Sequence, residues 1–223
     1  MEIKVKPTHE PLGDKGIYNA FFRWALLAAE EVAGKQGLTI VLRENGLERF
    51  IDNYPSEEMN ASAGALQKDY TALCTGLLTF FGRAGRGGLI RIGKLSARMF
   101  INNYMDSMGM SAMVAAARLL PAGMKQKGGL ESNLNIFKKL YKDVGIDWHA
   151  HIEDRGEKFA YIVEDCTVCI DREADAAICT VFTGNISEAT LWLMEKEYDV
   201  QEVECRAMGA KACVWEISKK PKA

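Results

Sequence analysis

The chain has 223 residues, a formal net charge of −2, and 48% hydrophobic against 26% charged residues. That length suits one large domain with a substantial core, and the near-neutral charge without a long Lys/Arg block gives no support for nucleic acid as the main partner. No run of about 18 uncharged apolar residues marks a membrane span, and Glu2, Lys4 and Lys6 break up the segment that a secretory signal would need apolar; the expected setting is cytoplasmic, with reduced thiols.

In chain order, apolar residues from Ile17 recur at Phe21, Trp24, Ala28 and Val32, which predicts a helix with one buried stripe and a stop at Gly34. Leu66, Tyr70, Leu73, Leu77 and Phe81 predict a second helix ending at Gly82. The glycine-rich stretch Gly82 to Gly88 matches neither G-x-G-x-x-G nor the P-loop and reads as a turn between helices, with anion binding by Arg83 and Arg86 as the alternative. A third helix is expected over Lys94 to Asn103 and a short one over Ser111 to Leu119. Another carries Leu134, Phe137, Tyr141 and Val144, with Ser132 as N-cap and Gly145 just past its end. His149 to Glu153 and Lys158 to Glu164 read as a hairpin around Asp154-Arg155-Gly156-Glu157. Ala177 to Thr183 is a candidate strand, followed by an apolar helix over Asn185 to Lys196 with Asn185 as its cap. Tyr198 to Arg206 and Ala212 to Ile217 form a last strand pair around Met208-Gly209-Ala210. The order, helices and then strands with one inserted helix, predicts an α+β fold in a single domain. Residues 1–125 are its helical part, 126–217 its α+β part, and 218–223 a disordered tail.

Cysteine usage is uneven. Cys166, Cys169, Cys179, Cys205 and Cys213 fall within 48 residues, and the preceding 165 contain only Cys74. In a reducing setting such a cluster points to metal ligation before disulfides. Cys205 and Cys213 sit on the two arms of the last hairpin. Glu202 lies three residues before Cys205 and joins them if a bulge or strand end corrects its facing. With Cys179 these make a Cys₃Glu set suited to zinc, since thiolates disfavour magnesium and calcium. Cys166-Thr167-Val168-Cys169 offers a rival set of Cys166, Cys169, Cys205 and Cys213. It also permits a redox pair, although no helix evidently begins after it to lower a thiol pKa.

Cys179, Glu202, Cys205 and Cys213, with Arg206-Ala207-Met208-Gly209 in the turn and Thr183-Gly184 before it, resemble the zinc-binding C-terminal segment of 4-vinyl reductase domains. That family includes hydrocarbon-binding proteins, phenol-sensing domains and a bacteriochlorophyll-biosynthesis protein. The resemblance covers roughly residues 158–217. It implies an antiparallel sheet flanked by helices, similar to the ligand-binding fold shared with vesicle-tethering (TRAPP-type) subunits, and a homodimer. It also implies a structural zinc on the four named residues, with Cys166 and Cys169 as alternative ligands. The ligand it implies is a small hydrophobic molecule, aromatic or tetrapyrrole-like, with any signal passing to a separate partner. Trp148, Phe159, Tyr161 and Trp192, together with the methionines of 105–113, are the candidate pocket lining. His149 and His151 share one strand face and are expected to face solvent or ligand. The rival function is enzymatic: a reductase or accessory protein of tetrapyrrole vinyl-group reduction, or a Cys-x-x-Cys redox protein. No nucleotide or flavin fingerprint and no catalytic triad is present, so binding is the preferred reading.

Overall fold

A computed structural model describes residues 2–105 and 120–222. The first long helix, α1 (Asn19–Glu44), buries Phe22, Ala25, Leu26 and Ala29 at helical spacing. The stop expected at Gly34 is instead a break: its backbone leaves the helix at φ 72° and ψ 160°, and the helix resumes to Glu44. Glycine takes that conformation without a Cβ clash, so the chain bends there and continues. Helix α2 (Gln67–Phe81) ends where expected, on Gly82 at φ 65°, whose amide donates to the Leu78 carbonyl. At its other end the Asp69 carboxylate accepts the Leu66 amide at 2.8 Å.

Helix α3 (Arg86–Phe100) starts earlier than Lys94 and continues into one π turn over Ile101–Met105. The glycine-rich stretch is divided between a 3₁₀ turn and the start of α3, and Arg83 pairs with Asp175. The turn reading therefore describes it. Helix α4 (Ala122–Asp143) begins after Pro121, which leaves Ser132 inside the helix and corrects its assignment as N-cap. Gly145 at φ 76° follows its end. The helix expected over Ser111 to Leu119 lies outside the described residues.

The expected hairpin forms from β2 (Ala150–Arg155) and β3 (Lys158–Val163). A short β1 (Ile3–Val5) pairs antiparallel with β4 (Arg172–Ala174). Helix α5 (Thr180–Met194) then corrects two expectations: Ala177 to Thr183 is no strand, and Asn185 is no cap. Cys179 is the residue before α5, and its carbonyl accepts the amides of Phe182 and Thr183. The segment is buried on several sides at once, and apolar residues all round erase the periodicity that separates helix from strand. Asn185 sits mid-helix and donates to the Gly93 carbonyl at 2.9 Å.

The last hairpin joins β5 (Tyr198–Glu204) to β6 (Cys213–Pro221) and completes a four-stranded antiparallel sheet in the order β2-β3-β6-β5. Residues 218–221, expected in a disordered tail, pair within this sheet, and the Lys222 amide bonds to the Glu197 carbonyl. Phe159, Tyr161 and Val163 of β3 alternate inward beside Cys213, Trp215 and Ile217 of β6. They share one apolar core with Leu26, Leu42 and Leu77 of the helical half. The fold is thus α+β, helical first and antiparallel sheet last. Among the described residues no helix is long and apolar enough to cross a membrane.

Two glycines set how closely α3 and α5 cross. A Cβ built on Gly93 would fall 1.9 Å from the Val181 carbonyl oxygen, and one on Gly184 would fall 2.2 Å from that of Ile90. Backbone, which cannot swing aside, is what each would meet. Gly184→Ala is therefore expected to cost about 2–3 kcal/mol, read as a lower urea midpoint at unchanged slope. Gly123→Ala in α4, which meets nothing within 4 Å, is expected to be neutral or stabilising by up to about 1 kcal/mol.

Candidate metal centre and apolar cavity

Three distant stretches of chain converge on one buried point. The loop after β3 supplies Cys166 and Cys169, the start of α5 supplies Cys179, and the β5–β6 hairpin supplies Glu202, Cys205 and Cys213. Each of the six side chains is buried. The sulfur separations are 3.6 Å for Cys166–Cys179, 3.5 Å for Cys169–Cys213, and 3.8 Å for both Cys179–Cys205 and Cys179–Cys213. A disulfide would need about 2.05 Å, and all six cysteines are free thiols. Four thiolates about 2.3 Å from a central ion stand roughly 3.8 Å apart along the edges of their tetrahedron, so the spacing is that of metal ligands.

Two overlapping quartets have all their donor atoms within 4.8 Å of one another: Cys166, Cys169, Cys179 and Cys213, and Cys179, Glu202, Cys205 and Cys213. The second is the Cys₃Glu set named from the sequence. The first differs from the expected rival in holding Cys179 where Cys205 was placed. A β-bulge makes the second quartet possible: the register slips between Glu202 and Glu204 on β5. Without it, residues 202 and 205 would point to opposite faces.

Crowding and burial shift the acids of the cluster in opposite directions. Burial, and then the neighbouring Cys205, push the Glu202 carboxyl up to about 9. Its Oε2 accepts the Cys179 amide at 3.0 Å, while Oε1 has no partner among the described residues. Hydrogen bonds from neighbouring thiols, Cys169 first, hold Cys166 well below the usual thiol value, whereas burial and the surrounding thiols push Cys179 well above it. Protons are thus shared out so that adjacent sulfurs do not ionise together. A divalent ion would reverse that balance and ionise them jointly. The buried four-cysteine group is compatible with a metal such as zinc or iron.

The N-terminal segment straps this region. Glu10 accepts from the Arg206 guanidinium at 2.8 Å and from the Asp171 amide at 3.2 Å, and its own amide donates to the Asp171 carboxylate at 2.9 Å. The Arg206 amide donates to Cys213 Sγ at 3.3 Å.

Beside the cluster lies a cavity of about 300 Å³. Its apolar wall comes from Phe21 and Trp24 of α1, Phe100 of α3, Phe137 of α4 and Trp192 of α5. Phe21 and Phe100 meet edge-on with centroids 5.3 Å apart. Polar groups are few. Gln67 donates from Nε2 to the Gly16 carbonyl, which fixes the amide and leaves Oε1 without a partner among the described residues. The cavity and the cysteines share structure, because Thr167, between Cys166 and Cys169, and Phe182, three residues after Cys179, both line it.

Of the aromatic residues named from the sequence, Trp192 is in this wall. Tyr161 and Phe159 are buried on β3, where the Tyr161 hydroxyl donates to Asn133 of the wall at 3.3 Å. Trp148 packs behind the wall residue Tyr141, centroids 5.0 Å apart, and borders a separate hollow with His149 and His151. His149 is exposed and bonds to Asp165 at 2.7 Å, and His151 faces Glu153. The methionine side chains of 105–113 lie outside the described residues. The sequence reading places Phe21, Trp24 and Phe137 only in helix stripes, not in a pocket, and singles out neither Phe100 nor Gln67. The available signal was the second apolar row of α1, Phe21 with Trp24, beside the Phe22–Leu26 row that faces the main core.

No family model matches this chain, and no curated protein sequence matches it. Its fold does match solved structures of H-NOX proteins. One is an H-NOX protein from S. oneidensis in the Fe(II)NO ligation state, with TM-score 0.56, 10% identity, and 93% of this chain aligned to 100% of that one. A mutant Fe(II) unliganded H-NOX protein from K. algicida aligns with TM-score 0.54 and 12% identity over 92% of this chain and 98% of that one. An oxygen-binding H-NOX domain related to soluble guanylate cyclases, in its oxygen complex, gives TM-score 0.52 and 12% identity over 92% and 96%. At such identities the likeness is one of fold alone: this chain has the α+β architecture of the H-NOX structures.

Cys179 belongs to both quartets, so Cys179→Ser is expected to strip metal from the purified protein and to lower its unfolding free energy by upward of about 3 kcal/mol. Cys74→Ser, outside both quartets, is expected to keep the metal content of the parent, as counted by inductively coupled plasma mass spectrometry.

Proposed function

We propose that this protein binds a small, mainly apolar aromatic molecule in the cavity of about 300 Å³, and that zinc held by Cys179, Glu202, Cys205 and Cys213 keeps the cavity wall in place. The observation that carries the reading is the shared wall. Phe182 stands three residues after the proposed ligand Cys179, Thr167 lies between Cys166 and Cys169, whose sulfurs pack against that quartet, and both line the cavity. A closed set of four protein donors leaves no open position for substrate, which favours a structural over a catalytic metal. The four donors are also those carrying the resemblance to 4-vinyl reductase domains. By that resemblance the domain acts as a homodimer and passes ligand occupancy to a separate signalling or enzyme partner.

The chemistry of the lining narrows the ligand. H-NOX proteins of the same fold are described with Fe(II) ligation states, and haem iron needs an axial His, Cys, Met or Tyr donor. The described lining holds no histidine and no cysteine, its one methionine, Met124, is exposed, and burial pushes the Tyr18 and Tyr141 hydroxyls up to about 12 and that of Tyr70 well above its usual value, so no tyrosine there is ready to act as a phenolate ligand. A neutral aromatic guest fits better. The unpartnered Oε1 of Gln67 would accept a hydrogen bond from it, favouring a phenol-like molecule over the bare hydrocarbon. Burial of both Cys166 and Cys169 also disfavours the dithiol redox reading, which needs an accessible thiolate.

Calorimetric titration with 1-naphthol and naphthalene tests this. The parent is expected to bind 1-naphthol more tightly, and Gln67→Leu to weaken 1-naphthol about tenfold while leaving naphthalene unchanged, the worth of one hydrogen bond. Failure of both compounds to bind, or a haem absorption band in the protein as purified, would overturn the reading. Removing the metal with a chelator is expected to abolish 1-naphthol binding and to lower the thermal midpoint.

A further inference from the structure

We infer that the cysteine cluster holds two metal ions, with the Cys179 and Cys213 thiolates bridging them. This inference rests on the zinc reading of the Cys179, Glu202, Cys205 and Cys213 quartet and adds a second ion to it. The two quartets share Cys179 and Cys213, whose sulfurs lie 3.8 Å apart. Cys166 and Cys169 complete one set, and Glu202 and Cys205 complete the other. Six donors arranged as two shared and four unshared are what two edge-sharing tetrahedra require, since each ion then has four ligands.

Neither single-ion arrangement uses what the chain has buried. An ion in the hairpin quartet leaves Cys166 and Cys169 as idle thiols, although their sulfurs stand 3.6 and 3.5 Å from Cys179 and Cys213. An ion in the four-cysteine quartet leaves Glu202 buried, with Oε1 unpartnered among the described residues, and Cys205 unused beside it. With two ions every donor is engaged, and the orphaned carboxylate oxygen faces a cation. The charge also closes better. Five thiolates and one carboxylate carry −6; two divalent ions reduce this to −2, whereas one ion would leave −4 in a buried volume unless thiols stayed protonated. The donor set is soft on the Cys166/Cys169 side and carries one hard oxygen on the Glu202 side. The two ions therefore sit in different fields.

Anaerobic titration of the reduced, metal-free full chain with cadmium, followed by ¹¹³Cd NMR, tests the inference. Two equivalents bound and two distinct resonances are expected, and cobalt loading should give spin coupling between the ions through the shared sulfurs. The double variant Cys166→Ser/Cys169→Ser is expected to hold one ion and show one resonance, the one from the Glu202 side. One equivalent on the parent chain would overturn the two-ion inference and leave the single structural zinc intact. None would overturn both. If the double variant fails to fold, the stoichiometry of the parent decides alone.

Discussion

Five thiols and a carboxylate occupy one volume from which water is excluded, and much of the surrounding architecture follows from that confinement. Buried groups that tend to ionise are tolerated only when paired, protonated or bound to a cation. Here they are delivered by a loop, a helix start and a hairpin, so meeting the condition also fixes these three elements against one another. Helix α5 leaves the cluster directly from Cys179, and β6 leaves it from Cys213. Their mutual position is then held a second time by the bond from the Trp215 indole to the Thr183 hydroxyl at 3.0 Å.

Because α5 departs from the cluster, the cavity inherits its geometry. Phe182 in the first turn of α5 faces the Trp215 ring at 4.8 Å between centroids and lines the cavity on the same side chain. Thr167 does likewise from the loop. Its carbonyl accepts from Thr71 at 2.7 Å, and its hydroxyl lies 3.2 Å from the Tyr141 hydroxyl. The path from the cysteine cluster to the cavity is therefore short and runs through packed side chains. On the far side, the Gly93–Gly184 crossing locks α5 to α3, so α5 is braced at both ends of its first half.

What the sequence reveals depends on whether the cause is local. Gly82 and Gly145 end their helices through backbone freedom, and the hairpin at Gly156 follows from turn chemistry; each is legible from a few neighbouring residues. The convergence of Cys179, Glu202, Cys205 and Cys213 is legible too, because their spacing lets a hairpin and a helix start meet, and the bulge beside Glu202 answers the facing problem. Ala177 to Thr183 misleads for a different reason: β-branched and apolar residues favour strand locally, and burial against α3 and the sheet overrides them. The Gly34 break hides because a glycine that bends a helix and one that ends it look alike in sequence. The cavity was least legible. Its wall gathers single residues from helices far apart in the chain, and nothing local distinguishes a side chain packed on core from one facing a hollow.

The N-terminal strap has a consequence for how the protein is made. Ile3–Val5 pair with Arg172–Ala174, and Glu10 reaches Arg206. During synthesis the first segment emerges long before its partners exist: it stays unpaired until residues 171–174 follow, and its Glu10–Arg206 contact waits for the last hairpin. Closure of the strap is thus a late event, completed only with the hairpin that carries Cys205 and Cys213. Residues 3–10 then tie the strand after Cys169 to the turn after Cys205.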